Sequence, residues 1–388
     1  MRQQTVSPYR VSAKHGNVNW VQRHAATWNG GTAGAGAESR CPLDFIFFLC
    51  YNDFIILWKE KTTMLNADKR EFEFPSEFDE LLISAVIAVP PGDVNGVVQI
   101  IHGMNEHKER YFPFMDYLAE QGFITVIHDC RGHGKSICTE DDLGFMFKNG
   151  SDGFISDIAQ LNGIIRKKYP SLPVFMIGCG IGAAGARCFL KEHDDQINGL
   201  ILTGTVIMPH FSPIIRSINS VSLKNPGTRF RSEKIYDTID NTLGRFFEQP
   251  DNSWRCSDPE VVAAFNEDPL CNFRFTLNGY EEILSIMRQA NSSGGWEVKN
   301  PSLPIRLISG RDDPCLVSEK KFLQVMRKLE KKGYESISHR IFDGMRHEVL
   351  NEKNNMNVYK DIAKTLFSWI DRINDARLTE EEAAEQEA

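Results

Sequence analysis

Among its nine cysteines this 388-residue chain has no Cys-x-x-Cys pair and no cysteine–histidine group at metal-ligand spacing. That removes the usual signature of a structural zinc site. An odd cysteine count without regular spacing points to free thiols in a reducing compartment, the cytoplasm, and not to a disulfide framework. Basic clusters are missing too. The 44 Lys and Arg are scattered among 52 Asp and Glu, and the net charge of −8 leaves no electrostatic footprint for nucleic acid. A long apolar run is the third absence. Leu43 to Trp58 is interrupted by Asp44, Asn52 and Asp53 and falls short of the about 20 residues a membrane span needs. It also starts too late for a secretory signal, whose apolar core lies within the first ~15–30 residues. What remains, 41% hydrophobic and 25% charged, is the composition of a globular protein with ample core.

Residues 1–63 stand apart. Met1 to Cys41 is rich in Gly, Ala, Ser, Asn and Gln without periodicity, so this part is expected to be a poorly ordered extension upstream of a natural start at Met64. A peripheral membrane anchor around Leu43–Trp58 is the alternative. From Leu82 the pattern is regular. Apolar strands at 82–89, 96–101, 123–127, 174–177 and 199–203 alternate with helical spacing at 109–121, 155–168 and 181–191. This predicts an α/β fold, a mostly parallel sheet with helices on both faces. Residues 64–206 form the first part of that core. The alternation stops at 207–299, which reads as a helical cap inserted at the ligand end of the sheet. It resumes in 300–377 with strands at 303–309 and 338–342 and helices at 317–331 and 358–373. The acidic tail, 378–388, is expected to be disordered.

In an open α/β sheet, ligands bind beyond the carboxyl ends of the strands, so the loops there carry the chemistry. They read His102-Gly-Met-Asn-Glu-His107, Asp129-Cys-Arg-Gly-His-Gly-Lys-Ser136, Gly178-Cys-Gly-Ile-Gly182, Gly310-Arg-Asp-Asp-Pro314 and Asp343-Gly-Met-Arg-His347-Glu-Val-Leu-Asn351. The third is a strand, a tight glycine turn and a helix. Two chemistries use that shape: the nucleophile elbow of a hydrolase, and the Gly-x-Gly-x-x-Gly/Ala turn that receives a pyrophosphate. The second fits Gly178-x-Gly180-x-x-Ala183. It lacks the acidic residue required at the end of the next strand, since 199–203 runs into Gly204-Thr205 and Asp194 and Asp195 precede it. The order elbow, acid, histidine is that of a hydrolase triad.

These motifs, in this order over about Met64 to Ile373, resemble the monoacylglycerol lipase and lysophospholipase group of α/β-hydrolases, the serine aminopeptidase-like branch. The resemblance implies an α/β-hydrolase fold and no cofactor or metal. It implies a monoacylglycerol or lysophospholipid ester as substrate, taken under a cap that touches a membrane surface. Position by position it makes His347 the base and Asp313 its orienting acid, with Asp312 the second candidate. The oxyanion hole falls to the backbone N–H groups of Met104 and Ile181. Arg131, Gly132, His133 and Gly134 shape a turn under the site. Ile207, Met208, Phe211, Ile214, Ile215, Phe246 and Phe247 line an acyl slot or form the cap's own core.

One residue departs from the pattern. Gly180 stands at the nucleophile position, where the family has serine, and Cys179 replaces the preceding histidine. Glycine relieves the strained backbone of an elbow but leaves His347 no hydroxyl to deprotonate. Cys179 is expected to project away from His347 as an inert thiol. Three functions stay open: a crippled ester hydrolase, a non-catalytic relative that binds an acyl ligand or a partner, and a dinucleotide enzyme.

Overall fold

The computed structural model describes residues 47–51, 54–59, 67–205, 212–222, 228–245, 247 and 251–387. Ten strands form one sheet: β1 (Phe47–Tyr51), β2 (Phe54–Lys59), β3 (Asp68–Pro75), β4 (Leu82–Val89), β5 (Gly96–Ile101), β6 (Phe123–His128), β7 (Val174–Cys179), β8 (Gly199–Thr203), β9 (Ile305–Gly310) and β10 (Ile337–Phe342). Their spatial order is β1-β2-β3-β4-β6-β5-β7-β8-β9-β10. The first four strands pair antiparallel, as does β4 with β6, and every pairing from β6 to β10 is parallel.

The parallel strands are apolar because both faces are covered; β5, β6, β7 and β8 are buried along their whole length. Helices α2 (Gly150–Lys168) and α3 (Ile181–His193) cover one face through Phe154, Ile158, Leu161 and Phe189. Helices α1 (Phe112–Glu120) and α9 (Asn355–Glu387) cover the other through Phe114, Leu118, Ile362 and Trp369. Trp369 explains a glycine: a Cβ on Gly199 would fall 2.3 Å from its ring. One polar pair sits inside this core. Gln99 on β5 donates to Ile158 O and accepts from Asn162 Nδ2, both at 3.0 Å, which cancels most of its burial cost. Between β8 and β9 lie α4 (Ser212–Ser222), α5 (Glu233–Gly244), α6 (Pro259–Glu267) and α7 (Leu277–Asn291), and α8 (Glu319–Glu330) joins β9 to β10. Side chains of Ser232, Asp258 and Thr276 cap α5, α6 and α7. Among the described residues no helix is long and apolar enough to cross a membrane.

Two expectations need correction, and one strand went unread. The extension expected through residue 63 contains β1 and β2, which add to the sheet edge with Tyr51 opposite Phe54 and Leu57 opposite Glu73. Aromatic and branched residues flank the pair Asn52-Asp53, which is the composition of a short hairpin. Residues 1–46, 52–53 and 60–63 of that segment lie outside the described residues. The sequence pattern also passed over β3, because its charged half masks an alternation that buries only Phe72 and Phe74 fully. The tail expected to be disordered continues α9 to Glu387; a Glu- and Ala-rich stretch is a strong helix former.

Candidate active site

The site begins where β7 stops. Gly180 has φ +55° and ψ −114°, a backbone that residues with a Cβ rarely adopt, and its N–H donates to Thr203 O at 3.0 Å. The chain then turns at once into α3, and this sharpness dictates the neighbouring glycines. A Cβ on Gly178 would lie 2.6 Å from Gly182 O, and one on Gly182 would lie 2.4 Å from Ile101 O. Position 180 differs from both. A Cβ there would meet only His347 Nε2, at 3.3 Å, and Gly103 Cα, at 3.6 Å. A side chain at 180 therefore has room and a direction, and its cost is backbone strain of about 1–3 kcal/mol.

His347 and Asp313 come from the loops after β10 and β9. His347 Nδ1 is 3.1 Å from both carboxylate oxygens of Asp313, which is buried and also accepts from Cys315 N at 2.8 Å and Ser309 Oγ at 3.4 Å. Asp312, the other candidate acid, is exposed one residue away. Burial works against protonation of His347, but the Asp313 carboxylate, with Cys315 beside it, holds its pKa well above the ordinary 6.5. Trp254 from the cap packs against the ring at a centroid distance of 5.3 Å.

The third wall is the loop after β5. His102 is buried and neutral: burial pushes its pKa down to about 4, Nδ1–H donates to Gly103 O at 2.7 Å and Nε2 accepts from Cys130 N at 2.8 Å. Gly103 N–H donates to Glu106 Oε1 at 2.5 Å. The next amide, that of Met104, has no hydrogen-bond partner among the described residues, and neither has that of Ile181, the first residue of α3. Both amides border a pocket, part of it open to solvent, whose cap side is Leu243, Trp254, Ile283 and Met287.

A charge network missed in the sequence braces these walls. Glu348, next to His347, accepts from Arg110 Nη2 at 2.7 Å and from Arg255 Nη1 at 3.0 Å. Arg110 also pairs with Glu106, and Arg255 Nη1 donates to Met104 O at 3.2 Å. Burial alone would raise the Glu348 pKa; the two guanidiniums hold it far below the ordinary carboxylate value. Glu106, Arg110 and Glu348 adjoin residues that the sequence had singled out. Arg255 sits in the cap with no local signal, and only folding brings it to the oxyanion loop.

Other singled-out residues are placed elsewhere. Arg131 is buried against Asp157 and Asp79, and a Cβ on Gly132 or Gly134 would collide with Phe145 O or the Asp129 carboxylate. Burial and the neighbouring His102 push His133 down to about 3, and its Nδ1–H donates to Arg131 O at 3.0 Å. Cys179 lines the pocket as a thiol: burial raises its pKa to about 12 despite hydrogen bonds to Thr203 and Tyr111. Ile214, Ile215 and Phe247 pack in the hydrophobic core and do not line the pocket, while Ile207, Met208, Phe211 and Phe246 lie outside the described residues. Among the described residues two groups bring His, Cys and Asp ligand atoms within 4.8 Å: Asp313–Cys315–His347 and His107–Asp268–Cys271. In each the histidine and carboxylate already bond one another and burial keeps the thiol protonated, so neither calls for an ion.

With this geometry in place, the similarities to known proteins are specific. Residues 92–354 match the family described as serine aminopeptidase, S33. The chain belongs to that family. It is 24% identical over 285 residues to a monoacylglycerol lipase of Mycolicibacterium smegmatis, covering 72% of this chain and 90% of that one. It is 25% identical over 279 residues to the monoglyceride lipase of Mus musculus, covering 68% and 83%. The crystal structure of a thermostable carboxyl esterase from Bacillus coagulans in complex with glycerol superimposes with a TM-score of 0.70 at 26% identity, over 79% of this chain and 100% of that one. This S33 member thus has an α/β-hydrolase fold. These similarities are to hydrolases, and on them the dinucleotide alternative loses its ground.

Proposed function

We propose that the pocket takes a monoacyl carboxylic ester, a monoacylglycerol or lysophospholipid, and that Gly180 makes its hydrolysis slow. His347 is the base and Asp313 the acid that fixes its tautomer. The Met104 and Ile181 amides receive the oxyanion of the tetrahedral intermediate. The acyl chain lies along Leu243, Ile283 and Met287, and the cap touches the lipid surface that supplies it. Similarity to monoglyceride lipases supports the substrate class, and seven free cysteines among the described residues support a reducing, cytoplasmic setting.

The observation that carries this reading is the direction of a Cβ at position 180, 3.3 Å from His347 Nε2 and 3.6 Å from Gly103 Cα. A serine there would place its hydroxyl between the base and the oxyanion loop. Without it, the remaining route is attack by a water that His347 deprotonates. In a serine protease, loss of the nucleophile costs on the order of a millionfold in turnover, and binding with the oxyanion hole retains about a thousandfold over water. Fatty-acid release from a monoacylglycerol by the parent, Gly180→Ser and Gly180→Ser/His347→Ala tests the assignment. The serine variant is expected to gain at least about a thousandfold and to lose it again with His347. A folded Gly180→Ser protein no faster than the parent would overturn it.

A further inference from the structure

The floor of the pocket offers donors without acceptors. The Met104 and Ile181 amides have no partner among the described residues, and Ile181 opens the thirteen-residue helix α3, whose N-terminus carries partial positive charge. His347 turns Nε2 toward position 180, where glycine leaves room for an oxygen atom that is not the protein's own.

We infer that this site holds the carboxylate of a free aliphatic acid. One carboxylate oxygen accepts from the Met104 and Ile181 amides. The other lies beside Gly180, where a serine hydroxyl would otherwise stand, and accepts from His347 Nε2–H. The inference rests on the reading of the site as an ester-hydrolase centre and adds a ligand that such a centre, with its serine, would only pass through as product.

Charge balance supports an acid over an alcohol or ester. A buried carboxylate is costly unless it is paired and hydrogen-bonded. Here Asp313 on Nδ1 favours the protonated imidazole that would pair with it. Two acidic residues also line the pocket, Glu106 and Glu348, and each is already bound by a guanidinium, Arg110 for both and Arg255 for Glu348. They do not oppose an incoming anion as free charges would. An alcohol or methyl ester of the same chain has the same apolar body but offers no charged second oxygen to His347.

Calorimetric titration of the full chain with dodecanoate, dodecan-1-ol and methyl dodecanoate, each below its aggregation limit, reads the inference directly. Dodecanoate is expected to bind at least about tenfold tighter than either neutral analogue, the effect of one charge-assisted hydrogen bond. Gly180→Ser fills the second oxygen's place and His347→Gln removes its charged donor. Each is expected to abolish the preference over dodecan-1-ol, the comparison used for Gly180→Ser because that variant would hydrolyse the methyl ester, while circular dichroism reports a folded protein. Equal affinity for the three ligands in the parent, or an undiminished preference in both folded variants, overturns the inference. Ester turnover by the same Gly180→Ser preparation separates the two levels. If it hydrolyses monododecanoylglycerol and the parent shows no acid preference, only the carboxylate inference falls. If it is folded and inert, the reading of the centre falls first.

Discussion

Arg255→Met removes the cap's guanidinium while keeping a side chain of similar length. Arg255 and Glu348 have side-chain exposures of 6% and 8%, so their 3.0 Å ion pair is shielded from solvent. Breaking a buried pair from one side costs about 3–5 kcal/mol, because the remaining charge is stranded. Glu348 keeps Arg110 at 2.7 Å, which lowers the expected loss to about 2–3 kcal/mol. That corresponds to a fall in melting temperature of about 3–5 °C for a domain of this size. Glu348→Gln removes the stranded charge, so the double variant should recover about 1–2 kcal/mol relative to the sum of the two single losses. Urea denaturation of the four proteins measures that coupling. The pH dependence supplies a second arm. The Glu348 pKa is held below its ordinary 4.5, so its ion pairs stabilise the fold fully above that value and lose their contribution as pH falls below it toward the folded value. The difference between parent and Glu348→Gln should shrink over that range. Additive losses within about 0.5 kcal/mol, with no change on acidification, would refute the idea that this network ties the cap to the histidine loop.

Three further outcomes follow from the geometry. In the Gly180→Ser background kcat/KM should rise with pH through a value well above 6.5, since only the neutral imidazole accepts a proton and Asp313 favours the charged form; a plateau reached below 6.5 would count against that pairing. Gly182→Ala should destabilise the fold by about 1–3 kcal/mol, as its Cβ meets Ile101 O at 2.4 Å. Gly163→Ala, in open space within α2, should instead stabilise by about 0.5–1 kcal/mol in the same melts.

Much of this protein is visible along the chain because its constraints are local. A parallel strand buried on both faces has to be apolar, and an elbow too tight for a Cβ has to carry glycine at 178 and 182. Asp313 and His347 each follow a recognisable strand. The edge was harder to see: β3 mixes charge with two inward phenylalanines, and β1 and β2 lie beyond a stretch that has no pattern at all. The cap residues that face the pocket were harder still. Ile214 and Ile215 are as apolar as Ile283 and Met287, and periodicity cannot tell a helix face packed on its neighbour from one turned to a cavity.

The sequence by itself determined the fold class, the order of the loops that carry chemistry, and the absence of a hydroxyl at position 180. Tertiary structure decided what that absence means. It set a Cβ direction at Gly180 toward His347 Nε2, left the Met104 and Ile181 amides without a partner among the described residues, and brought Arg255 and Trp254 from the cap to the same pocket. These are relations among residues up to a few hundred positions apart, and distances of 3 Å between such residues exist only once the chain has closed around its sheet.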